Sequence, residues 1–373
     1  MKICLKCIQP DTRYGIYFKD GVCGACLWED EKKTIDWDSR WNELQQIVKQ
    51  TKENTKGNYD CVIGVSGGKD STVQAITARD RLGLNCLLVN NEPAGITEIG
   101  QRNIENLKNL GFDVISTRSN PKILKKLMHY DFFNHLNFIK ATEFPLYAST
   151  YIIAEKFNIP LIIQGENPGL TLGVRDSGVG TDSDALKVNE LHTLSLGSEE
   201  YLNVEGVTKK DLFLYRYDKK KLLENGTRAI WLNYYMKEWS ETRNAEVALK
   251  HGLEIRPDNF DPYEIGTYTP FSTLDVDLPP VNQMLKSIKL GFGACVDSAC
   301  YDLREGRITK KEAIDLVLKY DGKCSKDSIK KLCEFIGISE KEFWNTVEKF
   351  RGPMWKKDSS GKWVNEYLEM LKK

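Results

Sequence analysis

The chain has 373 residues, of which 41% are apolar and 28% charged, as in an ordinary globular protein. Its 53 lysines and arginines balance 53 aspartates and glutamates, so it has no general attraction to nucleic acid or anionic lipid. No run of about 18 apolar residues predicts a membrane span, and the first residues lack the apolar core of a signal peptide. We therefore expect a cytoplasmic protein whose ten cysteines form no disulfides.

Four cysteines near the start of the chain have the spacing of a zinc site. They form two CxxC pairs, which are Cys4 with Cys7 and Cys23 with Cys26. Two such pairs can direct four thiolates at one tetrahedral ion. Between them, residues 12–21 end in Asp-Gly and predict a short β-hairpin. Four protein ligands leave no open position, so we expect a structural zinc ribbon over residues 1–45.

A glycine-rich loop follows the first predicted strand of the next domain. The strand covers residues 59–65, and a helical pattern begins at residue 72. The loop between them consists of Ser66, Gly67, Gly68, Lys69, Asp70 and Ser71. Such a loop at a helix N-terminus points backbone N–H groups at an anion, so we expect it to bind nucleotide phosphates. An aspartate beside phosphate indicates a bridging Mg²⁺, which assigns Asp70 to magnesium, and Lys69 can offset phosphate charge.

The order of residues in this loop excludes a Walker A motif. That motif requires Ser or Thr directly after its lysine, whereas Asp70 follows Lys69 here. The order Ser-Gly-Gly-x-Asp-Ser instead resembles the PP-loop of ATP pyrophosphatases. This resemblance implies cleavage of ATP between its α- and β-phosphates, with AMP left on a carbonyl-type oxygen of the substrate.

The segments after the loop alternate between strands and helices. Predicted strands cover residues 85–90, 112–116 and 160–163, and predicted helices cover residues 97–110, 120–128 and 146–157. This alternation predicts an α/β fold with a doubly wound parallel sheet, in a PP-loop domain over residues 46–167. Ligands bind at the C-terminal ends of such strands, which selects Asn90, Gly165, Glu166 and Asn167 beside the loop.

The second half of the chain gives weaker signals. Residues 168–230 predict loops and short helices that could form a lid or a substrate-recognition insert. Residues 231–373 predict a mostly helical region, with a last helix over residues 355–373. The aromatic segment 231–239 is either a ligand platform or core, with core packing favoured.

Several reactive side chains lack the spacing of a metal or catalytic site. Cys295, Cys300, Cys324 and Cys333 have no paired spacing, so we expect core thiols rather than a second metal site. His129 and His135 are expected to be structural or exposed. Three cations near glycines could bind a diphosphate or be solvated, and these are Lys286, Lys289 and Arg304.

With the ribbon and the loop together, the chain resembles the N-acetyl sugar amidotransferases of bacterial surface-polysaccharide and nonulosonic acid biosynthesis. The motifs that carry the resemblance are Cys4-x-x-Cys7, Gly21-Val22-Cys23, Ile35-Asp36-Trp37 with Arg40, Ser66 to Ser71, Gly100-x-x-Asn103, Ile162-Ile163-Gln164-Gly165-Glu166-Asn167, Leu285-Lys286-x-x-Lys289-x-Gly291-Phe292-Gly293, Leu303-Arg304-x-Gly306-x-Ile308-Thr309 and Lys319-Tyr320-Asp321-Gly322. Two positions differ from the family pattern. Residues 168–174 replace an expected Glu and paired glycines, and Lys310 replaces an expected Arg.

The resemblance implies a fold like that of adenine nucleotide alpha-hydrolases and a specific reaction. ATP would adenylate the oxygen of a sugar N-acetyl group, and ammonia would displace AMP to leave an acetamidino group. The products would serve lipopolysaccharide O-antigen or nonulosonic acid synthesis, with ATP, Mg²⁺ and structural Zn²⁺ as cofactors. We expect Lys69, Asp70 and Glu166 to be catalytic, and Asn167, Lys286, Lys289 and Arg304 to bind the sugar or its nucleotide carrier.

The source of ammonia is predicted to lie in another subunit. An internal glutaminase would need a terminal cysteine nucleophile or a Gly-x-Cys-x-Gly elbow with a histidine. The nearest match, residues 293–297, lacks the final glycine. The resemblance implies a separate glutaminase paired with an ammonia-channelling barrel subunit.

Two other functions remain open at this point. One is a PP-loop thiolase acting on tRNA, since such enzymes also combine zinc ribbons with this loop. The balanced charge and the absence of a CxxC pair after Ser71 argue against it. The other is a non-catalytic protein that binds nucleotide as a scaffold, which the intact loop argues against.

Overall fold

Two of the four N-terminal cysteines, Cys23 and Cys26, lie on a short hairpin and the helix that follows it, whereas Cys4 and Cys7 precede the hairpin. In this computed structural model, which describes residues 1–175, 180–188 and 197–373, β1 (Phe18–Lys19) pairs with β2 (Val22–Cys23). Asp20 and Gly21 join them with φ of 50° and 77°, as a two-residue type I′ turn requires. The predicted Asp-Gly hairpin is therefore confirmed, although its strands are short. Helix α1 (Gly24–Glu31) and helix α2 (Trp37–Asn54) follow.

Five parallel strands form the central sheet. They are β3 (Cys61–Gly64), β4 (Cys86–Asn91), β5 (Asp113–Thr117), β6 (Leu161–Gln164) and β7 (Arg228–Trp231). Their spatial order is β5-β4-β3-β6-β7, which confirms the predicted doubly wound α/β sheet. The fifth strand was not predicted, because its residues were divided between the proposed insert and the aromatic segment. The order reverses between β3 and β6, where such sheets bind ligands.

Helices cover both faces of this sheet. They are α3 (Lys69–Ile76), α4 (Glu98–Asn109), α5 (Pro121–His135), α6 (Lys140–Phe157), α7 (Pro168–Thr171), α8 (Lys219–Glu224) and α9 (Glu241–Lys250). Successive residues of β3 enter different cores. Val62 packs with α5 and α6, whereas Cys61 and Ile63 pack with α2, α3 and α4. Burial on both faces explains why this strand is an unbroken apolar run in the sequence.

The C-terminal region is mostly helical, as predicted. Its elements are α10 (Pro262–Ile265), α11 (Pro279–Leu290), α12 (Ala294–Arg304), α13 (Lys310–Tyr320), α14 (Lys326–Ile336), α15 (Glu340–Lys349), β8 (Trp355–Lys357), β9 (Trp363–Asn365) and α16 (Glu366–Leu371). The prediction of one helix over residues 355–373 was wrong. Asp358 Oδ1 accepts N–H groups of Ser360 and Lys362, and Gly361 has φ of 81°, so a turn forms there.

The ribbon packs against the C-terminal region in a separate core. This core contains the four paired cysteines together with Phe292, Cys295, Cys300 and Tyr367. Thr12 Oγ1 donates to Leu290 O at 2.6 Å, and the Tyr367 hydroxyl donates to Ile8 O at 2.6 Å. Among the described residues, no helix has the length and apolar character needed to cross a bilayer. The predicted insert 168–230 lies partly outside the described residues, and its limits, like those of the other domains, stay predictions.

Candidate active site

The glycine-rich loop and Glu166 lie at the point where the strand order reverses. The loop follows β3, and Glu166 follows β6, its direct neighbour in the sheet. Parallel neighbours end at the same edge of the sheet, so two segments distant in sequence meet there. The position predicted for Glu166 from the strand pattern is therefore the one that it occupies.

The loop has the backbone geometry of an anion cradle. Gly67 has φ of 82°, and a Cβ there would lie 3.1 Å from Gly100 O and 3.2 Å from Asn103 Cβ. Any other residue would be strained and crowded, so glycine is required. Gly68 is the N-cap of α3, whose first N–H groups have no acceptor within the helix. These donors and the helix dipole favour a phosphate at the loop.

A buried lysine lies at the centre of three carboxylates. Lys69 Nζ is 2.8 Å from Asp70 Oδ2 and 3.7 Å from Glu241 Oε1. Burial lowers the pKa of Lys69, but the charges of Asp70, Glu241 and Glu166 outweigh it and hold that pKa above its ordinary value. The lysine is therefore protonated at every physiological pH. Asn244 Nδ2 donates to the other oxygen of Asp70 at 2.7 Å, which fixes that carboxylate.

The Glu166 carboxyl is suited to proton transfer. Trp239 Nε1 donates to Glu166 Oε1 at 2.9 Å. Removal from water, with the nearby charge of Asp70, raises the pKa of Glu166 to about 7. A group that titrates near neutral pH can both accept and release a proton during a reaction.

A cavity of about 300 Å³ joins the loop to the C-terminal region. Ser66, Gly68, Lys69 and Asp70 line one side, and residues of α11 and α12 line the other, including Gln283, Asp297 and Ser298. This volume is at the lower end of the range for small-molecule sites. Uncharged and acidic oxygen and nitrogen groups on the C-terminal side suit a ligand rich in hydroxyl and amide groups.

A short segment of the C-terminal region covers the loop. The Phe271 ring lies 5.5 Å from Lys69 Nζ, and a Cβ on Gly100 would lie 2.7 Å from Asp275 Cα. Arg256 donates to the carbonyl oxygens of Ser272 and Thr273, the latter at 2.7 Å. Residues 271–275 are therefore held close to Lys69 of the loop and to helix α4.

The structure gathers some predicted site residues and separates others. Asn90 lies next to the loop but is buried, and its Nδ2 donates to Val65 O at 2.9 Å. The backbone of Gly165 connects β6 to Glu166, and its carbonyl accepts the N–H of Asn233 at 3.1 Å. Asn167 is fully buried as the N-cap of α7. Its Oδ1 accepts the N–H of Gly169, and its Nδ2 donates to Asp182 O. These residues position the site and do not line its cavity.

The three cations predicted to bind substrate lie in different places. Lys286 Nζ is 2.6 Å from Asp297 Oδ2, so it acts at the cavity wall through that aspartate. Lys289 Nζ donates to His135 O at 2.6 Å, away from the cavity lining. Arg304 lines a second, narrow cleft with Glu166. Among them, only Lys286 is next to the main cavity.

Three residues of the site were missed by sequence analysis, and they are Glu241, Asn244 and Asp297. Glu241 and Asn244 begin helix α9, which packs beside α3. Ser240 before them is a recognisable N-cap, so the helix start was detectable, but its position beside the loop was not. Asp297 pairs with Lys286 and with Arg13 of the ribbon hairpin.

The four N-terminal cysteines fit a tetrahedral metal. All are buried, their sulfurs lie within 4.8 Å of one another, and Cys7 Sγ is 3.7 Å from Cys23 Sγ. Sulfurs about 2.3 Å from a tetrahedral zinc lie roughly 3.8 Å apart. Backbone N–H groups of Gln9 and Cys23 point at two of the sulfurs, as in thiolate–metal sites.

The remaining thiols and histidines belong to the core or to ion pairs. Cys295, Cys300 and Cys333 are buried in apolar clusters, and Cys324 packs at the edge of one. His135 Nε2 is 3.0 Å from Glu200 Oε2. Together with the buried Asp131, these two residues form the second group in the described part of the chain with the spacing of metal ligands. The Lys140 ammonium also contacts Glu200, which balances the charge of that group without a metal.

Comparison with known proteins finds similarity in parts of the chain. Residues 265–370 match the family described as LPS biosynthesis protein WbpG-like, C-terminal domain, and we call them the WbpG-like domain because of this similarity. Over 130 residues the chain is 32% identical to the GMP synthase [glutamine-hydrolyzing] of Baumannia cicadellinicola subsp. Homalodisca coagulata. The aligned region covers 31% of this chain and 23% of that protein. The structure of NMN synthetase from Francisella tularensis aligns with 61% of this chain and 100% of its own, at 17% identity and a TM-score of 0.30.

Proposed function

We propose that this chain, which joins a PP-loop domain to a WbpG-like C-terminal domain, is an ATP-dependent amidotransferase that converts a sugar N-acetyl group into an acetamidino group. The observation that supports it is the shared cavity, with phosphate-binding groups on one wall and hydrogen-bonding groups of the WbpG-like domain on the other. A single cavity with both walls can hold ATP and an acceptor together, as direct AMP transfer requires.

In the first step the acetamide oxygen attacks the α-phosphorus of ATP. A P–O bond to AMP forms, the bond to pyrophosphate breaks, and the amide N–H proton is lost. Loop N–H groups and Lys69 stabilise the charge that develops on the departing pyrophosphate. The product is an O-adenylated imidate, in which the former carbonyl oxygen has become a good leaving group.

In the second step ammonia attacks the imidate carbon. A C–N bond forms, the C–O bond to AMP breaks, and its electron pair leaves with the AMP phosphate. The neutral amidine keeps two of the three hydrogens of the ammonia and one proton is released, whereas the amidinium ion keeps all three. Glu166 accepts the proton when nitrogen arrives as ammonium.

Two metals belong to the proposal, with different roles. Asp70, together with Glu241, offers the carboxylate oxygens that Mg²⁺ prefers. When bound, Mg²⁺ would neutralise phosphate charge. The four cysteines would hold a structural zinc.

The nitrogen donor is proposed to be a separate glutaminase. Among the described residues, the cavity lining contains no cysteine that could act as a glutaminase nucleophile. We expect the purified chain to use ammonium salts and to be inactive with glutamine alone. Glutamine-driven turnover by the isolated chain would contradict this part of the proposal.

A panel of N-acetylated sugars, free and nucleotide-linked, provides the test. Incubation with ATP, Mg²⁺ and ammonium should release pyrophosphate and AMP with one of them. Mass spectrometry should find a product in which an NH group replaces an oxygen. Release of ADP and phosphate in place of AMP and pyrophosphate would contradict the proposal.

The tRNA thiolase alternative receives less support from the geometry. Cys61 and Cys86 lie next to each other, with sulfurs 3.4 Å apart, but both are buried inside the sheet. Neither lines the cavity beside the loop. A thiolase would need an accessible cysteine near the adenylated base.

A further inference from the structure

A second cleft approaches Glu166 from the side of the ribbon. It is lined by Trp28, Glu29 and Lys32 from helix α1 and its end, by Thr171 and Trp239, and by Arg304 with Glu305. Glu166 also lines it, and the charges of Lys69 and Asp70 in the main cavity act on Glu166. The Glu166 carboxyl thus lies between the main cavity and the second cleft.

The size of the cleft limits what it can hold. Its free volume is about 20 Å³, against about 300 Å³ for the main cavity. Roughly 10–15 Å³ measured in this way is needed for one water molecule. The cleft therefore has room for one molecule of the size of water or ammonia, and excludes a sugar or a nucleotide.

The wall of the cleft is built from residues whose role the main site leaves unexplained. Arg40 lies 5.5 Å from the Trp28 ring and 3.9 Å from the Tyr234 ring, and it donates to Tyr234 O at 2.9 Å. Trp37 Nε1 donates to Lys32 O at 2.9 Å. These contacts hold Trp28 and Lys32 of the cleft lining in place relative to the sheet, and they give Trp37 and Arg40 of the Ile35-Asp36-Trp37 motif with Arg40 a structural role.

We propose that this cleft between the ribbon and the WbpG-like domain admits the ammonia nitrogen, which reaches the imidate past Glu166. The inference rests on the proposed amidotransferase function. It gives the ribbon a role in the reaction, because helix α1 supplies one wall of the entry route. The bond changes are those of the second step, with Glu166 receiving one proton from ammonium.

The two half-reactions separate this inference from the proposed function. Exchange of labelled pyrophosphate into ATP, with sugar present and ammonium absent, reports adenylation alone. Amidine formation reports the arrival of nitrogen. Absence of exchange in the wild-type chain would contradict the proposed function, whereas the route is decided by the ammonium dependence of variants that retain exchange.

A matched pair of tryptophan substitutions on helix α1 tests the route. Glu29 lines the cleft, whereas Glu31 on the same helix is exposed and outside the cleft lining. E29W should raise the KM for ammonium about tenfold with exchange retained, whereas E31W should leave both unchanged. An unchanged ammonium KM in E29W would overturn the proposal.

A second substitution covers the case in which the E29W side chain is displaced outward. T171W, in helix α7 on another wall of the cleft, should also raise the ammonium KM, and the exchange rate shows whether that variant is folded. In the wild-type chain, methylammonium should react far more slowly than ammonium because the cleft fits one small molecule. Equal use of methylammonium, or normal ammonium KM in a T171W chain that retains exchange, would reject the route.

Discussion

At the scale of single residues, Glu166 is the group whose surroundings are best suited to the chemistry. Its carboxyl accepts the Trp239 indole N–H and is in the field of Lys69 and Asp70. Loss of hydration and the Asp70 charge together raise its pKa to about 7. An ordinary carboxylate is too weak a base to take a proton readily from an ammonium ion. The raised pKa of Glu166 brings it closer to the pKa of ammonium.

Replacing Glu166 with Gln should remove the pH dependence of amidine formation. Because the base is the carboxylate and it takes a proton from ammonium, the rate at fixed ammonium concentration should rise with pH through about 7 and then level off. The Gln variant should lack this inflection near pH 7 and be about 10²–10⁴-fold slower in amidine formation. Exchange of pyrophosphate should fall much less. A variant that keeps the wild-type pH profile would show that another group accepts the proton.

Asp70 provides a second prediction at this scale. D70N keeps the size of the side chain but loses the charge that pairs with Lys69 and would bind Mg²⁺. We expect the pyrophosphate exchange rate to fall by about 10²–10³-fold. The exposed Asp38→Asn on helix α2 serves as a charge-matched control. Full exchange activity in D70N would instead favour a nucleotide-binding scaffold.

At the scale of elements, helix α4 and the segment 271–275 approach so closely at Gly100 that there is no room for a side chain there. In an ordinary helix, replacing Gly with Ala stabilises by about 1 kcal/mol. Here the added methyl of G100A would meet the backbone of Asp275 at 2.7 Å. We therefore expect G100A to destabilise the fold by about 1–3 kcal/mol and to raise the KM for ATP.

Thermal unfolding and exchange kinetics check this prediction. Substitution of the neighbouring exposed Gln101 with Ala provides the control, because its side chain points to solvent. A G100A chain more stable than the wild type would mean that residues 271–275 do not lie tightly against α4.

The elements that sequence analysis predicted are those whose signals are local. Strand β3 is an apolar run, the loop after it is a motif, and the hairpin turn is an Asp-Gly pair. The missed elements depend on distant partners or on turn chemistry that went unrecognised. Strand β7 has only four residues and becomes a strand by pairing with β6, and Glu241 and Asn244 reach the loop only because α9 packs on α3.

At the scale of the whole molecule, three apolar cores are joined at the site. Two cover the faces of the sheet, and the third joins the ribbon to the WbpG-like domain. The ion pairs of Asp297 with Arg13 and Lys286 connect the third core to the main cavity. Damage to the ribbon should therefore affect the candidate active site as well as the cysteine cluster.

Removal of one zinc ligand tests this connection. C7S should abolish binding of one equivalent of zinc and lower the melting temperature, because structural zinc contributes about 10 kcal/mol or more in small ribbons. Pyrophosphate exchange should fall as the cleft and cavity walls shift. Metal content and calorimetry provide the measurements. C333S, a buried thiol outside the cysteine cluster, should retain zinc, and loss of zinc in both variants would point to a different ligand set.

The bond from Tyr367 to Ile8 joins residues that are 359 positions apart. At ~5–20 residues per second, the ribosome needs roughly 20–70 s to make the stretch between them. The cysteine cluster beside Ile8 must therefore wait, with its thiols unshielded by their eventual neighbours, until the segment that carries Tyr367 has been translated. Metal capture early in synthesis would protect those thiols from oxidation during this delay, which gives zinc supply a kinetic influence on yield that a stability measurement on the finished protein would not reveal.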